Sequence, residues 1–334
     1  QEGHTVHASA EDAIRRTELM LDIYTELAEK YLAMPVIKGR KTPAERFPGA
    51  VDTMCIESLM QDCKALQAGT SHFLGQNFAK ASQIKFQSTE EKEEFAWTTS
   101  WGASTRLIGG VIMTHGDDDG IILPPRVASS HVVLMPIIRK ADEAASVMEF
   151  THSLAKELRS TRYNHRPVRV EVDERDIGGA RGWDWIKKGI PIRVEIGPKD
   201  IAANSVFVAR RDKDHREKVS LKREQFVKEL PDILDDIQNN LFARASEFRN
   251  DHTVRIDDKK AFYKYFTPKN AEKSEIHGGF ALSHWCGSGD CEARVKEDLS
   301  VTIRCIPLDA ETENGACAYC GKPSRQRVLW AKAY

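Results

Sequence analysis

Residues 98–126 read TTSWGASTRLIGGVIMTHGDDDGIILPPR, and this stretch orders the reading of the whole chain. Phe95, Trp97, Thr99 and Trp101 alternate with other residues, a period of two that predicts a strand. A turn of small residues follows, and Arg106 then opens an apolar helix predicted over residues 107–113. An arginine at a helix start opposes the dipole unless an anion lies there too, so its placement points to an anion such as a nucleotide phosphate. Asp117, Asp118 and Asp119 stand between Gly116 and Gly120 and read as a solvated turn rather than a metal site. Leu123, Pro124, Pro125 and Arg126 close the region as a stiff connector.

The chain has 334 residues, 41% of them hydrophobic and 30% charged, enough for more than one core and for two or three domains. A formal charge of -1 argues against nucleic-acid binding by bulk electrostatics, so any RNA contact must be local. Apolar runs such as residues 132–135 are far too short to cross a bilayer, and no signal-peptide pattern opens the chain. A cytoplasmic protein is the expectation. Seven cysteines, mostly near the C-terminal end, suit metal binding in a reducing compartment better than disulfides.

Three regions separate along the chain. In the first, Ser9 and Asp12 form a capping-box-like start to a helix that carries Ile14, Ile23, Leu27 and Tyr31 and ends before Pro35. Strand-like runs at 51–56 and 94–101 then predict antiparallel sheet with helices to one side. The second region opens with a buried-strand run over 131–138, a helix over 142–159 and a strand over 168–172, a βαβ unit. Strands at 192–196 and 205–209 follow, and then a long helix with Phe226, Leu230, Ile233, Leu234, Ile237 and Leu241 at helical spacing, in which Pro231 threatens a kink. The third region, from about Asp251, holds most of the cysteines and strands at 301–306 and 327–331.

Cys286 and Cys291 lie in HWCGSGDC, and Cys317 and Cys320 in GACAYCGKP. Two close pairs with neighbouring glycines can fold around one tetrahedral ion, and thiolates at this spacing select zinc. Four thiolates leave no open coordination position, which predicts a structural ion. The alternative, buried free cysteines plus a redox CxxC, needs a thioredoxin-like context that the segment lacks. Cys305 reads as packed in a strand, Cys55 and Cys63 as small buried residues, and His277 and His284 as substitute ligands should one cysteine be remote.

Together these motifs resemble one family. TSWGASTRLIGGVIMTHGDDDGIILPPR resembles motif 3 of class II prolyl-tRNA synthetases and QEGHT the end of their motif 2, with PVIKGRKTPAERFPGA and LQAGTSHFLGQNF resembling the segments between. IPIRVEIGPKD resembles their anticodon-binding domain, and the four-cysteine module ending in AKAY resembles the C-terminal domain of the archaeal and eukaryotic-like type. The resemblance implies an α+β and α/β multidomain protein. Residues 1–126 would be part of an antiparallel-sheet catalytic domain, 127–222 a mixed α/β anticodon-binding domain, and 223–334 a small α+β zinc-binding domain.

The resemblance also implies an aminoacyl-tRNA ligase that joins L-proline to tRNA(Pro) through prolyl-adenylate, using ATP with Mg²⁺ and working as a homodimer. Positioned cations are the expected catalysts for attack on the α-phosphate. Arg106 would be the catalytic cation on the triphosphate, with Gln67, Thr70 and Ser104 also on ATP, and Phe47, His72 and Trp101 would shape the proline pocket. Glu2 and His4 would lie nearby, and Arg193 and Lys199 would contact anticodon bases. Where many relatives carry a glutamate, this chain has Trp185-Ile186-Lys187-Lys188, so Lys187 or Lys188 is expected on backbone phosphate instead.

Without the motif context, His72 reads as a loop histidine and Phe47 and Trp101 as core aromatics. Two further expectations come from what the resemblance does not find. No large editing insertion fits between Gly3 and Arg106, and a chain that starts inside motif 2 lacks that motif's α-phosphate arginine, which predicts impaired adenylation. The alternative to an enzyme is a zinc-stabilised tRNA-binding paralogue. Retention of Gln67, Thr70, His72 and Arg106 favours the enzyme.

Overall fold

The computed structural model describes residues 1–270 and 276–334. The chain opens with β1 (Glu2–His7) and turns into α1 (Ala10–Glu26) at Ser9, whose hydroxyl accepts the Asp12 N–H at 3.2 Å. The Asp12 carboxylate also meets His7 Nδ1 at 2.5 Å, tying the strand to the first turn of the helix. Ala13, Thr17, Leu21 and Tyr24 recur at helical spacing and are buried, and Leu21 and Tyr24 pack with Ile56, Ala68 and Trp101. There follow β2 (Ile37–Arg40), β3 (Asp52–Leu59), β4 (Ala65–Gly75) and the short α2 (Asn77–Ala81). The strand expected over 94–101 divides in two. Its start, β6 (Glu93–Phe95), forms a two-stranded sheet with β5 (Lys85–Gln87), whereas β7 (Trp97–Gly102) joins the main sheet and runs on to α3 (Arg106–His115).

The next elements are β8 (Val132–Pro136), α4 (Ala144–Ser160), the paired dipeptides β9 (Arg162–Tyr163) and β10 (Arg166–Pro167), and β11 (Val170–Val172). β11 lies parallel to β8, so the expected βαβ unit is present. Then come α5 (Ala180–Lys187), β12 (Ile192–Ile196), α6 (Pro198–Ala202), β13 (Ser205–Arg210), β14 (Lys218–Lys222) and α7 (Arg223–Asp251). The five strands run in the order β11-β8-β12-β13-β14. Val132, Leu134, Ile192 and Val194 pack on one face with Leu154 and Leu158 of α4 and with Phe226, Leu230, Leu234, Ile237 and Leu241 of α7. α7 continues through Pro231, because the row of buried apolar residues on either side outweighs the one hydrogen bond the proline cannot donate. Asp117 is not merely solvated: it takes both Nη1 and Nη2 of the buried Arg211, at 2.7 and 2.6 Å.

The chain finishes with β15 (Thr253–Arg255), α8 (Lys259–Phe266), β16 (Phe280–His284), α9 (Gly289–Leu299), β17 (Thr302–Pro307), the dipeptide pair β18 (Gly315–Ala316) and β19 (Pro323–Ser324), and β20 (Arg327–Ala331). Its strands do not form a sheet of their own. β17 pairs antiparallel with β2 through Ile306–Arg40 and Pro307–Gly39, giving one nine-stranded sheet in the order β1-β7-β4-β3-β2-β17-β20-β16-β15. Gly39 permits the junction, since a Cβ there would overlap the Cys305 side chain. The chain accordingly forms two compact units, one of residues 1–30, 34–114 and 246–334, the other of residues 31–33 and 115–245. Residues from both ends of the sequence, expected in separate domains, share the first unit.

Candidate functional site

One face of the nine-stranded sheet carries a cleft of about 640 Å³. The strand register explains who lines it. His72 on β4 lies opposite Ser100 on β7 and Thr53 on β3, and His4 on β1 lies opposite Ser100 in turn, so four strands present one cross-strand row. Strict alternation from His72 and Thr70 would send Gln67 to the opposite face. A bulge prevents this: Ile56 pairs with Gly69 but Glu57 with Gln67, so Ala68 is the extra residue and Gln67 returns to the cleft.

Phe47, His72 and Trp101 line the cleft together with Gln67, Thr70, Ser104 and Arg106, so all seven residues named from sequence for ATP and proline are brought together. Glu2 and His4 also line it and contact each other at 2.9 Å. Ser104 takes the Arg106 N–H on its hydroxyl at 3.2 Å, which fixes the start of α3. The exposed Arg106 guanidinium donates to the Gln67 carbonyl at 3.2 Å, and no carboxylate pairs with it among the described residues. Its charge is left facing the cleft. The Phe47 ring is 44% exposed and lies 4.6 Å from the His72 ring, whereas Trp101 is 9% exposed and serves the core as well as the cleft.

His72 is buried, and Thr53 Oγ1 meets its Nδ1 at 3.1 Å while also accepting the Phe47 N–H at 3.1 Å. Burial, with the nearby charge of His4, pushes the His72 imidazole down to about 4. The ring is therefore neutral at neutral pH. Thr53 joins both pocket aromatics, a role that sequence reasoning missed because an isolated threonine in a strand carries no signal.

The second cluster is metal-like. Sγ atoms of Cys286, Cys291, Cys317 and Cys320 all lie within 4.8 Å of one another, with Cys286 at 3.7 Å from both Cys291 and Cys320. A tetrahedral ion with metal–sulfur bonds of about 2.3 Å requires sulfurs roughly 3.8 Å apart, so the set fits. Gly321, at φ +74, turns the chain directly after Cys320. Burial holds the Cys291 thiol well above its ordinary range, whereas the Lys322 N–H chiefly draws exposed Cys320 down to about 7. His284 instead meets Ser324 Oγ at 3.2 Å, and His277 meets the Phe266 carbonyl and Lys332, so neither histidine is needed as a ligand. Cys305 is fully buried in β17 and Cys55 packs in the same cluster.

Residues 131–233 match the anticodon binding domain family, and residues 271–334 match the family described as prolyl-tRNA synthetase, C-terminal. The chain is 53% identical to proline--tRNA ligase 2 of Anaeromyxobacter dehalogenans and 53% identical to proline--tRNA ligase of Bdellovibrio bacteriovorus, matching over all of its own length and 66% of each relative. Among solved structures it is similar to prolyl-tRNA synthetase from Cryptosporidium parvum complexed with L-proline and AMP, at 32% identity and a TM-score of 0.87, covering 100% of this chain and 69% of that one. The chain belongs to the prolyl-tRNA synthetase family. It spans just under two thirds of the length of the two bacterial relatives.

The residues expected to meet the anticodon lie in different settings. Arg193 sits in β12 between Val133 of β8 and Ala209 of β13 and is only 4% exposed. Burial, then the neighbouring Arg211, pushes its guanidinium down to about 10, and its Nη1 is buried without a hydrogen-bond partner. Lys199 is exposed in the first turn of α6. Neither lines the cleft of about 490 Å³ past the ends of β8 and β12, which Pro136, Ile137, Glu174, Arg175, Arg181 and Glu195 help to form. The sequence does not reveal that cleft, because its residues are scattered over β8, α4, α5, β12 and the segments beside them and are individually ordinary. Lys188 lies over the Trp185 ring at 4.4 Å, and Lys187 is exposed. No helix of the described residues is long and apolar enough to cross a membrane.

Proposed function

We propose that this chain contributes the nucleotide, proline and tRNA contacts of a proline--tRNA ligase. In the first step a carboxylate oxygen of L-proline attacks the α-phosphorus of ATP, the bond to the bridging oxygen breaks, and pyrophosphate leaves with prolyl-adenylate formed. In the second, the terminal ribose hydroxyl of tRNA(Pro) attacks the prolyl carbonyl, loses its proton, and AMP departs. The gathering of all seven residues in one cleft carries this reading. Arg106 binds the triphosphate and stabilises charge on it, and Gln67, Thr70 and Ser104 hold the nucleotide. Mg²⁺ arriving with ATP neutralises phosphate charge. Phe47 and Trp101 wall the pyrrolidine ring, and a neutral His72 borders the pocket without repelling the cationic amine.

The four cysteines hold zinc as a structural ion, a reading supported by thiolate chemistry and the sulfur spacing. Lys199, exposed in α6, and Arg193 of β12 serve the guanines of the proline anticodon. The same reading places the protein in the cytoplasm as a homodimer, which light scattering of the full-length protein tests. The activity test is proline-dependent ATP–pyrophosphate exchange, again in a protein of the relatives' full length. Exchange that ignores proline, or that another amino acid drives better, overturns the assignment.

A further inference from the structure

A second buried polar system lies between the cysteine cluster and the cleft, within the same unit. Glu57 on β3 accepts from Lys41 Nζ at 2.8 Å and from Arg304 Nε at 3.1 Å, and Lys41 also donates to the Arg304 carbonyl at 2.7 Å. One residue on, the buried Thr42 hydroxyl donates to Glu292 Oε1 at 2.8 Å, across 250 positions of sequence. Glu292 directly follows Cys291 in the first turn of α9, and its Oε2 is buried with no partner. One turn along, Lys296 reaches Glu45 at 3.3 Å.

These contacts root a loop whose other end is Phe47. The Glu45 N–H donates to the Thr42 carbonyl at 3.1 Å, Arg46 Nη1 donates to the Val51 carbonyl at 2.6 Å, and the Phe47 N–H reaches Thr53 Oγ1. The loop thus runs from the helix that carries Cys291 of the cysteine cluster to the Phe47 ring, which packs against His72 at a tilt of 36°. We propose that Thr42 and Glu292 are positioning residues that couple metal occupancy of the cysteine cluster to the placement of Phe47, so that a loaded cluster sets the affinity of the cleft for its amino acid. The identity of that amino acid as proline rests on the function proposed above; the mechanical link does not. Thr42 has no contact with the cleft itself, and it acts by holding the root of the loop against α9.

Thr42→Val in the full-length protein removes the hydroxyl and keeps the bulk. Metal content, hydrogen exchange at residues 43–50, and the KM values for proline and ATP are measured against wild type and against Thr42→Ser. Loss of a hydrogen bond to a buried carboxylate predicts about tenfold faster exchange in the loop and a KM for proline raised about tenfold. Metal content, exchange in α9, kcat and the KM for ATP stay as in wild type, and Thr42→Ser restores both altered values. Wild type stripped of metal with a chelator shows the same accelerated loop exchange. If Thr42→Val does not fold, Thr42→Ala, which leaves no branched bulk to misfit, takes its place. Loop exchange at the wild-type rate in the valine or alanine variant overturns the coupling, as does an equal rise in the KM for ATP. If the wild type shows no proline-dependent exchange of pyrophosphate, the functional assignment fails while hydrogen exchange still decides the coupling.

Discussion

Arg106 and three buried histidines give the molecule its sharpest residue-level tests. Arg106 is exposed and contributes little packing, so Arg106→Ala should leave the free energy of unfolding within about 0.5 kcal/mol of wild type. Removing the cation should cut proline-dependent pyrophosphate exchange by roughly 10² to 10³, the usual loss for one donor to developing charge. An unchanged rate would remove Arg106 from the phosphate site. His115 is buried with Nε2 on the Leu32 carbonyl at 2.8 Å, and burial holds its pKa at about 4 against an ordinary 6.5. The unfolded chain therefore takes up a proton before the native state does. Stability from this group is complete above about pH 6.5 and is lost as pH falls from 6.5 towards 4. His72 and His131, also near 4, act with the same sign. Denaturant titrations across that range should show His115→Gln with a shallower fall than wild type, by up to about 1.4 kcal/mol per pH unit. Parallel slopes would contradict it.

At the scale of elements, α7 and the βαβ unit were legible because their apolar residues keep a period, as Phe226, Leu230, Leu234, Ile237 and Leu241 do, whereas of the apolar residues named for the first helix Ile14, Ile23 and Tyr31 are exposed and the buried face of α1 is Ala13, Thr17, Leu21 and Tyr24. β4 was not. Its sequence, ALQAGTSHFLG, is rich in small and polar residues, and the bulge at Ala68 breaks the alternation that would place Gln67. Gln67, Thr70 and His72 were therefore reachable only through the family's motifs, whereas the spacing of the cysteines pointed to a metal without them. For that element, metal analysis should return one zinc per chain, and Cys317→Ser with Cys320→Ser should abolish it and lower the thermal midpoint of the protein. Full metal content in the double variant would move the site elsewhere. Thr42 and Glu292 gave no sequence signal at all, since a hydrogen bond across 250 positions depends on how β17 docks.

For the whole molecule, the joining of β2 to β17 is the decisive contact, and it too was invisible in a sequence whose alternation names a strand but not its neighbour. Gly39→Ala should push against Cys305 and cost about 1–3 kcal/mol in a denaturant titration, with Cys305→Ala recovering part of it. Additive losses in the pair would show that the two side chains do not meet. Glu57 fastens the same seam, and Glu57→Gln, leaving Lys41 and Arg304 buried with their counter-charge gone, should cost about 3–5 kcal/mol. That seam also sets an order of events during synthesis. Arg40 pairs early with Met54 of β3, but its β17 neighbour is present only when Ile306 has left the ribosome, and at cellular elongation rates that delay is on the order of tens of seconds. Throughout that interval β2 presents an open hydrogen-bonding edge beside the nascent cleft, which makes the emerging chain a natural client for a chaperone that covers strand edges.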